Sequence, residues 1–320
     1  MIYRKFYTIP RRPVLIAILL LAGSCGKTTD GSKAIVVTSL LGKSYYEPTR
    51  PANVQSKLDS SLAVAKANLE ADPSEENYIW YGRRLGYLSR FQEAIDAFSA
   101  GIDQYPTSAR LYRHRGHRYI SFRLFDSAIN DLIKANSLIP SLPLEVEPDG
   151  TPNKINTPLS STQFNIRYHL AMAFYLKGDF QNAEQVYFQC LKTCNNDDLL
   201  VACIDWMYMT YRRQGKLDFA NSVLGNVRDS MNIVENDSYY RRCRMYQGHL
   251  SPDSVIRAGS GQGDAELALA TQGYGVGNWY LYNGDSARAK DVFEKIIASG
   301  YFGAFGFIGA EAELARWPKE

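Results

Sequence analysis

Histidine is scarce, with four residues in 320, and cysteine is little commoner at five. Neither is arranged for chemistry. His114 and His117 stand one helical turn apart, but no His-Glu-x-x-His pattern occurs and no third ligand shares their stretch, so no metal site is expected. His169 reads as a packing residue. The absence of a Gly-x-Ser-x-Gly elbow removes a common hydrolase nucleophile. Cys190, Cys194, Cys203 and Cys243 have no histidine or acid placed beside them by sequence, and they read as buried thiols. A bond from Cys190 or Cys194 to Cys203 is the alternative in an oxidising compartment. The neighbouring carboxylates Asp197 and Asp198 read as a helix cap. Gly26-Lys27-Thr28 follows an apolar run, as a phosphate-binding loop would, but Leu21 stands where that motif needs glycine. Gly259-Ser260-Gly261-Gln262-Gly263 follows no strand and reads as a flexible linker. The chain is therefore not read as an enzyme, and no catalytic residue, metal or cofactor is expected.

Long apolar runs and a lasting charge excess are also missing. Val14 to Ala22 is apolar, but a run of this length falls short of the roughly 20 residues that span a bilayer. It follows Arg4, Lys5, Arg11 and Arg12 and precedes Gly23, Ser24 and Cys25, the order of a cleaved export signal. Leu21-Ala22-Gly23-Ser24-Cys25 looks like a bacterial lipobox, which implies a signal peptide over 1–24, palmitate-type lipidation of Cys25 and a place in the cell envelope. Removing the four cations takes the formal charge from +3 to −1, so a general case for nucleic-acid binding disappears. Residues 25–53, rich in Thr, Ser, Gly and Pro, read as a flexible tether.

What the chain does have is a pattern written twice. Tyr78, Gly82, Phe91, Ala94, Phe98 and Pro106 are answered by Tyr112, Gly116, Phe125, Ala128, Leu132 and Pro140, at the 34-residue period of helix-turn-helix repeats. The glycines sit where two helices cross closely, the alanines sit on the facing helix, and proline ends the unit. This resembles the tetratricopeptide (TPR) family. The repeats Glu75–Ser108 and Ala109–Leu142 are followed by Phe164–Asp197, Val201–Val234 and Ala270–Gly303, with Gly178, Gly215 and Gly277 recurring, and by a degenerate unit over about 237–258. A lead-in helix from about Asn53 and a capping helix from Ala304 to Trp317 complete the reading. The expected fold is all-α, a TPR solenoid of about five to six repeats, divided into 54–142 and 164–320 by a polar insertion at 143–163. Gly275–Asp285 and Ala304–Arg316 are similar to segments of uncharacterised bacterial TPR proteins, and with the lipobox the whole resembles TPR lipoproteins.

The resemblance implies a concave face lined by the first helix of each repeat. The positions so selected are Arg83 and Tyr87, then Arg110, Arg113 and His117, then Asn165 and Tyr168, then Asp205 and Arg212. Arg110, Arg113 and His117 share one helical face by spacing. These residues would accept a protein or peptide, with the arginines suited to an anionic group on it. The competing reading has the acids of 145–149 folded onto the same face. Arg115 stands where the motif normally has a buried leucine, and it is expected to aim outward. Two other roles fit such a scaffold. One is an assembly factor of an outer-membrane complex. The other is a glycan-binding lipoprotein of a nutrient-uptake system, stacking sugars on Trp80, Tyr87, Tyr168 and Trp206. If Cys25 carries the lipid, Cys25→Ala releases the protein from the membrane fraction; unchanged partitioning refutes the lipobox.

Overall fold

The computed structural model describes residues 34–259 and 265–318, with the side chains of 258, 259 and 265 left aside. Cys25, the signal-like segment and most of the Gly259–Gly263 linker lie outside the described residues. An antiparallel hairpin comes first, β1 (Ile35–Thr38) and β2 (Ser44–Tyr46), turned through Gly42 at φ 77°. Over this stretch the tether expectation is corrected. Val37 and Tyr45 face inward and are buried, and Tyr45 stacks on Phe302 at 5.2 Å and meets Phe307 edge-on at 5.5 Å.

The lead-in helix α1 (Ala52–Ala71) is followed by the hairpins α2 (Glu75–Tyr87) with α3 (Phe91–Gln104), and α4 (Ala109–Ser121) with α5 (Phe125–Leu138). Next come α6 (Thr162–Lys177) with α7 (Phe180–Leu191), α8 (Asp197–Arg213) with α9 (Leu217–Leu224), and the short α10 (Asp237–Tyr246) and α11 (Pro252–Gly259). The last hairpin is α12 (Ala265–Tyr282) with α13 (Ser286–Ser299), and α14 (Phe305–Ala315) ends the chain. The last repeat was expected to open at Ala270, but its first helix begins earlier, at Ala265.

The repeat glycines do what the motif requires of them. A Cβ on Gly82 would lie 2.3 Å from Phe98, one on Gly116 2.7 Å from Leu132, and one on Gly277 2.4 Å from Phe293. Any larger residue would push the two helices of the unit apart. Gly178 ends α6 in the left-handed conformation at φ 90°, and Asp179 caps α7 by accepting from the Asn182 N–H at 3.2 Å. The fold is thus an all-α solenoid of TPR-type hairpins.

Three features depart from a bare solenoid. The insertion is tied down rather than looped out. Glu147 N–H donates to Ser160 O at 3.0 Å, Thr162 N–H donates to Glu145 O at 2.8 Å, and the Gln163 amide donates to both Pro140 O and Pro143 O. Arg115 does not aim away from its partner helix. Its guanidinium grips Asp131 on α5 with two bonds of 2.7 and 2.9 Å, an ionic clamp where the motif has leucine packing. Finally, α14 does more than cap. Phe305 reaches His117 at 5.1 Å and His169 at 5.5 Å, Gly306 packs on the Ala270 carbonyl, and Gly309 packs on the Tyr274 ring. The helix therefore lies against the inner helices α4, α6 and α12, and the trough expected to be open is largely filled.

Buried ion pairs hold α14 in place. Glu311 accepts from Arg123 at 2.8 and 3.0 Å, and Glu313 pairs with Arg213 at 2.6 Å and Arg316 at 3.0 Å. Arg123 sits at φ 65°, in the turn where later hairpins carry Gly178, Gly215 and Gly284. A non-glycine residue there costs about 1–2 kcal/mol; the side chain it supplies reaches a carboxylate that no glycine could. Glu311 is fully buried and Arg123 is 3% exposed in its side chain. Glu311→Gln accordingly leaves a buried guanidinium without its charge partner and should destabilise the fold by about 3–5 kcal/mol. Thermal melts check this, and the double variant Arg123→Met, Glu311→Leu should recover most of the loss.

Candidate functional site

The residues picked from the inner face fall into five different environments. Arg110 turns to Glu76 at 2.7 Å and is an edge ion pair. Arg212 lies over the Tyr282 ring at 4.3 Å and donates to Asn283 at 2.8 Å. Asn165 and Tyr168 are buried, the first donating to Ser160 Oγ at 3.0 Å and the second to Tyr239 Oη at 3.2 Å. Asp205 is fully buried and paired with Arg242, which also donates to Thr271 O at 2.6 Å. Desolvation pushes the Asp205 carboxyl up to about 6, with the Arg242 guanidinium opposing. Asp205 thus binds Arg242 in the core and is not a surface acid.

Only Arg83, Tyr87, Arg113 and His117 of this set come together. With Phe98, His114, Arg118 and Glu147 they line a chamber of about 100 Å³ between α2, α4 and the insertion. Arg113 pairs with Glu147 at 2.8 Å, both nearly inaccessible. Arg83 donates to Pro148 O at 2.9 Å and Arg84 to Gly150 O at 3.4 Å. The competing reading of this half of the face, acids of the insertion folded onto the arginines, is the arrangement found for Glu147. Asp149 follows it down; burial raises its carboxyl and Arg83 opposes the shift.

The chamber carries more positive than negative groups, and the histidines answer for it. His114 is held well below its ordinary range, by burial first and then by Arg113, Arg83, Arg110 and Arg118. His117 is lowered in the same way, by burial and then Arg118 and His169. Burial and Arg113 take His169 down to about 3, against the help of the Asn165 carbonyl, which accepts from Nδ1 at 2.6 Å. Arg118 itself is lowered to about 10 by burial. Sequence reasoning passed over Arg118, because it lies off the register that the motif assigns to the concave face.

Tyr87 and Arg118 also belong to a second opening. They join Pro48, Arg50, Pro51, Val54, Phe91, Glu266 and Phe302 around a cleft of about 580 Å³. Arg50 is held there by Tyr87 O at 3.4 Å and Ser89 Oγ at 3.1 Å. The cleft exists because the link from β2 to α1, the start of α1, the end of α2 and the α13–α14 turn converge. No periodic pattern could have located it.

The remaining candidates resolve into structure. Cys190, Cys194, Cys203 and Cys243 are free thiols. Among the described residues no group of histidines, cysteines and acids is placed to hold a metal ion, and no helix is long and apolar enough to cross a membrane. The cap expected from Asp197 and Asp198 is instead made by Asn196, which accepts from Leu199 N–H at 3.0 Å. Asp198 accepts the backbone N–H groups of Val234, Glu235 and Asn236 and pins that loop.

No protein-family model matches the chain, and no curated protein matches it. Solved structures that resemble it are TPR proteins. One, from Parabacteroides merdae ATCC 43184, is 15% identical, with 82% of this chain and 93% of that one covered and a TM-score of 0.46. YrrB, described as a TPR protein with an unusual peptide-binding site, is 14% identical over 73% of this chain and 91% of its own, with a TM-score of 0.41. TTC0263, a TPR protein of Thermus thermophilus, is 15% identical over 60% and 93%, with a TM-score of 0.42. At these values no ligand, partner or residue role passes from them to this chain.

The buried histidines make the fold acid-sensitive. His169 stays neutral in the folded chain down to about pH 3, whereas in the unfolded chain it takes up a proton below its ordinary value near 6.5. Its stabilising effect is complete above that value and is lost as pH falls, by about 2 kcal/mol at pH 5. The melting temperature should therefore drop between pH 7.5 and pH 5, and His169→Asn should lessen the drop. An equal drop in the variant counts against this assignment.

Proposed function

We propose that the protein is a non-catalytic scaffold of the bacterial cell envelope, anchored through a lipid on Cys25, that binds a protein or peptide partner. The observation that carries the reading is the cleft above Tyr87 and Arg118. Pro48, Pro51, Val54, Phe91 and Phe302 give it apolar walls, and its charged groups are Arg50, Arg118 and Glu266, two cations against one acid. A concave apolar surface with a few fixed polar groups is the usual form of a recognition site, and guanidinium groups favour an acidic partner. The fold supports binding rather than chemistry only by analogy. The placement differs from the original expectation: the partner sits at the rim of the solenoid, because α14 and the insertion occupy its inside.

The glycan alternative has less to stand on. Trp206 and Tyr168 are buried, and the Trp80 ring already has Arg83 at 4.4 Å and Arg84 at 5.0 Å from its centroid. The assembly-factor alternative differs in the partner it predicts rather than in the surface.

Cross-linking of the tagged full-length protein in intact envelopes tests the reading. A discrete partner should be recovered by the wild type and by Phe188→Glu, an exposed site on α7, and lost from Val54→Glu in the cleft. Equal recovery by Val54→Glu, or no partner at all, overturns it. Recovery of a multi-subunit outer-membrane complex through the cleft selects the assembly role.

A further inference from the structure

Two adjacent residues of the chamber wall behind Tyr87 each carry a buried nitrogen with no hydrogen-bond partner. Arg113 is 6% exposed and His114 4%, and neither Arg113 Nε nor His114 Nε2 has a hydrogen-bond partner. The identity of the second atom follows from the first residue. Arg113 Nη1 lies 3.0 Å from His114 Nδ1. A guanidinium can only donate, so Nδ1 accepts and the neutral ring carries its proton on Nε2. Both unpartnered atoms are thus N–H groups, and a buried donor left unmatched costs about 1–3 kcal/mol.

The charges around them lean the same way. Arg83, Arg113 and Arg118 line the chamber against one lining carboxylate, Glu147, which Arg113 engages. Among the described residues neither Arg83 nor Arg118 forms an ion pair. Arg118 Nη2 donates to His117 Nε2 at 3.0 Å, and its guanidinium lies 5.5 Å above the Phe91 ring. Glu145 and Asp149, the other acids of the insertion, do not line the chamber, although Arg83 acts on the Asp149 carboxyl from outside it. A volume of about 100 Å³ has room for several waters or one small ion.

We propose that this chamber is a binding site for a small oxyanion, a phosphate or a free carboxylate, held by Arg83, Arg118 and the N–H groups of Arg113 and His114. A bound oxyanion supplies acceptors for both orphaned donors and a counter-charge for the excess guanidiniums, which one change of occupant accomplishes together. Tyr87 and Arg118 line the chamber and the cleft alike. The site does not depend on the partner assignment and is tested without a partner.

Thermal melts and titration calorimetry of the full-length protein with inorganic phosphate, sodium acetate and sodium chloride at matched ionic strength decide it. Phosphate or acetate should bind saturably and raise the melting temperature, by about 5 °C at a hundredfold excess over Kd; chloride should not. Binding of acetate alone identifies the site as carboxylate-selective, and binding of phosphate alone identifies a phosphate site. Arg118→Met should abolish the shift. Glu147→Gln removes the competing carboxylate. It should melt lower than the wild type without phosphate, regain the loss with phosphate, and bind it about tenfold more tightly. The proposal fails if neither oxyanion shifts the wild type beyond chloride, or if Arg118→Met responds as the wild type does. It fails equally if Glu147→Gln gains nothing from whichever oxyanion the wild type binds, a result that stays readable even if Arg118→Met does not fold.

Discussion

Two carboxylates set two residues apart on α14, Glu311 and Glu313, decide the form of the inside of this solenoid. Each meets an arginine delivered from a different hairpin, Arg123 from the α4–α5 turn and Arg213 from the end of α8. Buried ion pairs contribute little net stability compared with apolar packing, but they are costly to break one partner at a time. That asymmetry makes them specifiers. Alternative seatings of α14 would strand charges away from water, whereas in the observed one Phe305, Gly306 and Gly309 can also nest among His117, His169, Ala270 and Tyr274. The hairpin β1–β2 depends on this seating in turn, because Tyr45 packs on Phe302 and Phe307 at the start of the same helix.

Filling the trough changes what the inner residues are for. In a bare array Arg113, Tyr168, Asp205 and Arg212 would face a ligand. Here Tyr168 and Asp205 have become core, and their partners Tyr239 and Arg242 come from the degenerate unit. An inner helix that packs on both sides needs hydrogen-bond partners for every polar group it carries, and most of them have one. Trp206 Nε1, Gln272 Oε1 and Tyr282 Oη are single exceptions, and the chamber under the insertion gathers two in adjacent residues, Arg113 Nε and His114 Nε2. Its surplus of donors over acceptors is a local failure of that rule, and its place beside the surface cleft is why it matters for function.

The insertion illustrates the same logic. A polar segment rich in acids normally stays solvated, and its cost on docking is the desolvation of its carboxylates. Glu147 docks because Arg113 waits at 2.8 Å and because the backbone of the segment is paired at its base by Gln163 and Ser160. One fixed end lowers the entropy of placing the other. The docked loop then ties down Arg83 through Pro148 O at 2.9 Å, while Tyr87 beside it stays exposed.

The 34-residue spacing, the glycines at the helix crossings and the turn at Gly178-Asp179 were all legible in the chain, because each depends on residues within one or two turns or one hairpin of each other. The hairpin at 35–46 was not, since its short strands have a tether's composition and gain their order from rings far along the chain. Nor was the role of α14. Arg123 and Glu311 stand 188 residues apart, and a single long-range pair leaves no period behind to be read. Local spacing determined by itself that this protein is a stack of helical hairpins. Only the packed structure decided which face of the stack stayed available, because that rests on where buried charges find each other after the chain has closed.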